Sequence, residues 1–263
     1  MEPLTAAALE VNQANLALGN EVFEAAGARF VRNTAYPTIY DANHVDDITA
    51  ATPDDIARLI EAAEREFAGF GHVRFDIDAR TPPAFEAELV FDGRYVRDEL
   101  LVMVLEGELR GDAPAFEIRP IVDQAGWAAF GALLALDWAE DIEDGTAPLR
   151  SPAAVVPMAA TMRRKSPPVR YWLGYIEGVP RGYLTSWEGT AGVGQVETLF
   201  VHPDTRHRGL ATALLLRGVA DCRAHGAGAV VIVAASDDTP KQMYAAMGWR
   251  PVATKRSYTR RTS

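Results

Sequence analysis

Six consecutive residues, Arg206, His207, Arg208, Gly209, Leu210 and Ala211, combine two guanidinium groups with a glycine and small or apolar neighbours. They lie where an apolar run, Gln195–Val201, gives way to a helical pattern. Such a turn suits a polyanion. The first turn of a helix offers backbone N–H groups without intrahelical partners, at the positive end of the dipole. Gly209 lets the backbone approach a phosphate closely. Ala211 keeps that surface low, while Arg206 and Arg208 add fork-shaped donors. A solvated basic helix start is the plain alternative, and the flanking elements weigh against it.

Those elements read as follows. Phe116–Ile121 patterns as a strand, Asp123–Asp137 as a helix, and residues 139–152 as a polar loop. Ala153–Arg164 follows as a helical stretch. Val169–Ile176 and Gly182–Trp187 form a hairpin joined at Glu177–Pro180. Gln195–Val201 is the strand into the turn, and Arg206–His225 the helix out of it, closed by Gly226. Ala229–Ala235 is a buried strand, Pro240–Met247 a short helix and Pro251–Tyr258 a final strand.

The pattern Arg206-x-x-Gly209-x-Ala211, preceded by Val201-x-Pro203 and followed by Tyr244-Ala-Ala-Met-Gly-Trp249, resembles the signature of the GNAT superfamily of acyl-CoA-dependent N-acyltransferases. The resemblance covers about residues 116–263. It implies a mixed, mostly antiparallel α/β sheet flanked by helices, with acetyl-CoA as cosubstrate and no metal. It further implies that backbone groups of Leu199, Phe200 and Val201 pair with the pantetheine arm. Amides of Arg206, His207, Arg208, Gly209, Leu210, Ala211 and Thr212 hold the pyrophosphate. The strand at Gln195–Val201 splays from the one at Ala229–Ala235. Glu197 is the candidate base, directly or through a water, and Tyr244 the candidate acid that protonates the thiolate. Strand alternation alone does not fix which face is the cleft. Many members carry Asn seven residues before that Tyr. Here the position is Asp237, which when ionised only accepts hydrogen bonds. His202 and His207 read as surface groups and Cys222 as packing. Trp172, Tyr175, Tyr183 and Trp187 divide between acceptor pocket and core.

The first part has a different character. Residues 1–115 carry 9 Lys and Arg against 22 Asp and Glu; residues 116–263 carry 17 against 14. The turn material Gly111-Asp-Ala-Pro114 marks the boundary between an N-terminal α/β unit, residues 1–115, and the acyltransferase-like domain, residues 116–263. Helical patterns are expected across residues 1–27, strands at Phe30–Val31, Thr38–Tyr40, His44–Ile48, His72–Ile77 and Leu100–Leu105, and helices at Thr52–Phe67 and Pro82–Val90. That order echoes Gln195–Tyr258 and suggests a tandem with a degenerate GNAT-like unit first. Its helix begins Thr52-Pro-Asp-Asp55, so two carboxylates stand where phosphate would sit. A net charge of −10 disfavours nucleic acid and anionic membranes. No segment approaches the ~20 apolar residues of a membrane span. One cysteine and no basic, apolar leader make a cytoplasmic location the default expectation. The acceptor is expected to be a small-molecule or peptide amine, cationic if the acidity reflects it, with a homodimer as an open alternative. A non-catalytic acyl-CoA sensor or scaffold is the competing class; it needs the turn but neither Glu197 nor Tyr244.

Overall fold

The computed structural model describes residues 1–143, 151–237 and 240–262. The chain divides into two compact units. The first comprises Met1–Val102, Val233–Lys241 and Pro251–Ser263; the second comprises Met103–Ile232 and Gln242–Arg250. A single cut at residue 115 therefore does not separate them, because the C-terminal strand belongs to the first.

In the first unit, helix α1 (Pro3–Ala17) precedes a hairpin of β1 (Glu21–Ala25) and β2 (Ala28–Arg32). The helical pattern expected around Val22 and Phe23 is thus a strand. Its turn, Ala26–Gly27, is left-handed at both residues, which matches the twist of a tight hairpin. Thr38–Tyr40 is likewise not a strand; Tyr40 opens a short 3-10 turn. Strand β3 (His44–Asp46) pairs antiparallel with β2. Helix α2 (Pro53–Glu66) then crosses over to β4 (His72–Ile77), which runs parallel to β3 through one bridge, Val45 to Phe75. The Thr52 hydroxyl accepts the Asp55 N–H at 3.3 Å, so this helix start is capped by its own residues. Helix α3 (Pro83–Asp92) and strand β5 (Val96–Leu105) follow. Strand β11 (Arg250–Arg261) pairs antiparallel with all of β4, from Arg256–Ile77 to Arg261–His72.

One side of this sheet packs Phe30, Val45, Phe75 and Tyr258 with Leu59 of α2, Phe67 just after it, and Phe85 and Leu89 of α3. An antiparallel sheet commonly turns the polar residues of an alternating strand to solvent, yet His72, Arg74 and Asp76 of β4 are all buried. Arg74 Nε donates to Asp76 Oδ1 at 2.7 Å, and Lys255 Nζ, which also donates to Asn12 of α1, lies 2.9 Å from Asp76 Oδ2. Burial alone would raise the Asp76 carboxyl, but Arg74 and Lys255 outweigh it and hold the group well below the usual range. His72 is pushed down to about 4 by burial. The folded chain therefore keeps His72 neutral at pH values where the unfolded chain protonates it. Stability is complete above about pH 6.5 and declines as pH falls toward 4, by roughly 3 kcal/mol for this group. Urea midpoints should fall between pH 7.5 and pH 5, and His72→Phe should flatten that slope; an unchanged slope would acquit His72.

The second unit starts with β6 (Glu117–Pro120) and α4 (Gln124–Glu143), which continues through the first residues of the expected polar loop. The rest of that loop's 144–150 stretch lies outside the described residues. Helix α5 (Val155–Arg164) leads to β7 (Arg170–Ile176), β8 (Val179–Thr190) and β9 (Val193–Val201). Strands β6 to β9 pair antiparallel in order. Helix α6 (Leu210–Ala224) crosses to β10 (Ala229–Ala235), parallel to β9, and α7 (Pro240–Met247) follows. Helix α6 lies close on one face: a Cβ on Gly218 would stand 2.9 Å from Val196, and one on Gly182 3.2 Å from Leu214. Helix α4 covers the other face, where Phe130 meets Tyr171 and Tyr183 edge-on. Each unit thus has antiparallel strands, a helical crossover and a briefly paired parallel strand.

Candidate functional site

The site is built on β9 and the turn that follows. Pairing of β10 with β9 covers Ala229–Val231 against Val193–Gln195 and ends there. That pairing leaves residues 196–201 without a β10 partner. On the β8 side, Thr185 faces Glu197 and Tyr183 faces Phe200, which leaves one extra residue in β9. Thr198, with φ of 57°, takes up that residue as a β-bulge. The bulge re-aims the strand just where pairing with β10 has ceased.

Face assignments follow from register. Val196 lies toward α6. Glu197, next along the strand, takes the opposite face with Tyr183 and Phe200, whose rings stack at 5.5 Å. Glu197 is therefore on the α4 side. Its carboxylate accepts the Gln195 amide at 2.5 Å, and its carbonyl accepts the Thr185 hydroxyl at 2.9 Å. Tyr183 donates to Asp137 of α4 at 2.6 Å. Trp172, Tyr183 and Trp187 are core; Tyr175 is half-buried.

The chain leaves β9 through a short 3-10 turn at Pro203–Thr205. Helix α6 begins at Leu210, four residues later than its pattern suggests, because His207 (φ 60°) and Gly209 (φ 89°) are left-handed. Alternating backbone hands of this kind curl N–H groups around an anion. The first intrahelical bond runs from the Ala213 amide to the Gly209 carbonyl. The Leu210, Ala211 and Thr212 amides precede it and point out of the helix end. The Arg206 amide is different: it donates to the Pro203 carbonyl at 3.2 Å. Of the seven amides expected to hold pyrophosphate, this one is spent within the turn. Its side chain is engaged too, with Glu140, while Arg208 and His207 are exposed.

Tyr244, on α7, is buried and lies edge-on to Trp249, whose indole donates to the Val230 carbonyl. Asp237 is exposed and belongs to the first unit. Cys222 is buried, and burial pushes its thiol up to about 12, which suits packing rather than nucleophilic work. Among the described residues, no group of His, Cys, Asp or Glu is placed to hold a metal. No helix among them is long and apolar enough to cross a membrane. Thr198, Gln195 and Glu140 are missed by sequence reasoning. A bulge is a backbone event, and the Glu140 contact spans 66 positions.

A mixed sheet whose bulged strand feeds a glycine turn and a helix is the arrangement that the resemblance implies. Residues 133–249 match the model of the Acetyltransferase (GNAT) family. That part of the chain is a GNAT acetyltransferase domain. Among solved structures, a GCN5-related N-acetyltransferase from Kribbella flavida aligns with TM-score 0.69 at 15% identity, covering 100% of this chain and 97% of that one. A functionally unknown conserved protein from Staphylococcus epidermidis aligns with TM-score 0.70 at 16% identity, covering 93% and 95%. A tandem GNAT protein from the clavulanic acid biosynthesis pathway gives 0.59 at 14% identity, covering 89% and 78%. At such identities the likeness is one of fold. No curated protein matches the sequence significantly.

Proposed function

We propose that the chain transfers an acetyl group from acetyl-CoA to a primary amine. The observation that carries this reading is β9 itself: it leaves β10 after Gln195, bulges at Thr198 and ends in a left-handed glycine turn with helix-start amides directed outward. An extended pantetheine arm suits the edge of Leu199–Val201, and a pyrophosphate suits the amides from His207 to Thr212. The neutral amine attacks the thioester carbonyl directly, so no enzyme nucleophile is required. Glu197 takes the ammonium proton, directly or through a water, and Tyr244 donates a proton to the departing thiolate. The C–N bond forms as the C–S bond breaks, yielding amide and thiol. Acidic groups on the Glu197 face, with Asp137 nearest by its bond to Tyr183, favour a cationic small-molecule or peptide acceptor.

The test is thiol release from acetyl-CoA across amine classes: polyamines, aminoglycosides, amino acids and lysine peptides. Turnover with at least one class is expected. Tyr244→Phe should lower kcat about a hundredfold and leave acetyl-CoA affinity unchanged. Glu197→Gln should act similarly and shift the pH profile. Coenzyme binding without thiol release from any amine would favour a sensor, and unchanged kcat in Tyr244→Phe would remove the assigned acid.

A further inference from the structure

The side chain of Arg206 does something other than its place in the basic turn suggests. Its Nε donates to the Val201 carbonyl at 3.0 Å, at the end of β9. Its Nη1 and Nη2 donate to the two carboxylate oxygens of Glu140 at 2.5 and 2.6 Å. Its guanidinium carbon stands 5.9 Å from the centroid of Phe200. One end of the fork is thus fixed to the strand and the other to α4, while the Arg206 amide closes the 3-10 turn. A bidentate fork specifies geometry as well as attraction.

We infer that Arg206 is a positioning residue and Glu140 its partner. Their pair holds the turn in its anion-binding shape from α4, and Glu140 sets donor affinity without touching the coenzyme. This rests on reading the turn as the coenzyme site. The same pair ties donor turn and α4 together, so the helix beside Glu197 and the turn beside Gly209 move as one piece.

The two roles Arg206 could play predict opposite signs. Were Arg206 a phosphate ligand restrained by Glu140, removing the carboxylate would release the guanidinium, delete a nearby negative charge and tighten binding. As a positioning pair, removal lets the turn relax and weakens binding. The side chains are 40% and 29% exposed, so the pair contributes little to global stability and the variants should fold.

Acetyl-CoA affinity is measured by calorimetry for the full chain carrying Glu140→Ala, Arg206→Lys and both. Each single variant should bind about tenfold more weakly, since small displacements of a binding turn are costly. The double variant should bind no worse than the singles, because both break one link. KM for acetyl-CoA should rise while kcat at saturation holds, and Glu140→Gln should restore part of the affinity. Hydrogen exchange at the Thr205 and Arg206 amides should quicken in Glu140→Ala without any ligand. Tighter or unchanged binding in Glu140→Ala with unchanged exchange would overturn the inference. A wild-type chain that binds no acetyl-CoA would overturn the coenzyme reading instead, and the exchange result would still decide the positioning role.

Discussion

Gly209→Glu is expected to weaken acetyl-CoA binding by at least about a hundredfold. Three effects act in the same direction. Gly209 has φ of 89°, a conformation that costs any L side chain roughly 1 kcal/mol or more. A Cβ there would stand 2.9 Å from Pro114 Cδ, so the segment before β6 must shift to admit it. The added carboxylate would sit at the mouth of a helix start that serves an anion, and like charges repel. Gly209→Ala separates these effects: it retains the strain and the clash without the charge, and should lose less. Calorimetry reads the affinity, and a thermal melt shows whether the fold survives. If Gly209→Glu bound acetyl-CoA within threefold of the parent at an unchanged melting temperature, the turn would not be the coenzyme site.

This turn was legible because its information is local. Gly209 and Ala211 are small where close approach requires it, and the surrounding strand and helix patterns are strong. Even so, the helix pattern extends back to Arg206 while the helix starts at Leu210, because a left-handed pair interrupts it without changing the apolar spacing. Thr198 shows a sharper limit. A β-branched residue is disfavoured in the left-handed region, so nothing in its type announces the bulge that tertiary pairing imposes. Arg206 was legible as a cation but not as Glu140's partner, since a contact across 66 positions leaves no periodic trace. In the first unit, the alternation of β4 marks a strand but carries no local sign that its polar face is buried. His72, Arg74 and Asp76 are buried beside Lys255, a residue at the far end of the chain.

That distant residue leads to the other large effect. Deleting residues 251–263 is expected to unfold the first unit. Strand β4 would lose its antiparallel partner from Arg256 to Arg261, a ladder of several backbone hydrogen bonds worth about 1 kcal/mol each. Tyr258, 3% exposed in the apolar core, would leave a void beside Phe75 and Phe85, a loss of about 3 kcal/mol or more. Lys255 would no longer face Asp76, and that buried carboxylate would be left with Arg74 alone, a further loss. Glu86 would lose both Arg256 and the Tyr258 hydroxyl. Together these losses match or exceed the roughly 5–15 kcal/mol that stabilises an ordinary domain. Hydrogen exchange should show β4 amides unprotected in the truncated chain, with an early unfolding step in urea. Protection of β4 equal to the parent's would refute the assignment of β11 to this sheet. Lys255→Met is the milder companion: it fills the space but leaves Asp76 with Arg74 alone, so it should destabilise far less than truncation. It also follows that residues 1–115 by themselves lack a strand of their own sheet, so the role of the acidic first unit has to be probed in a chain that retains its C-terminus.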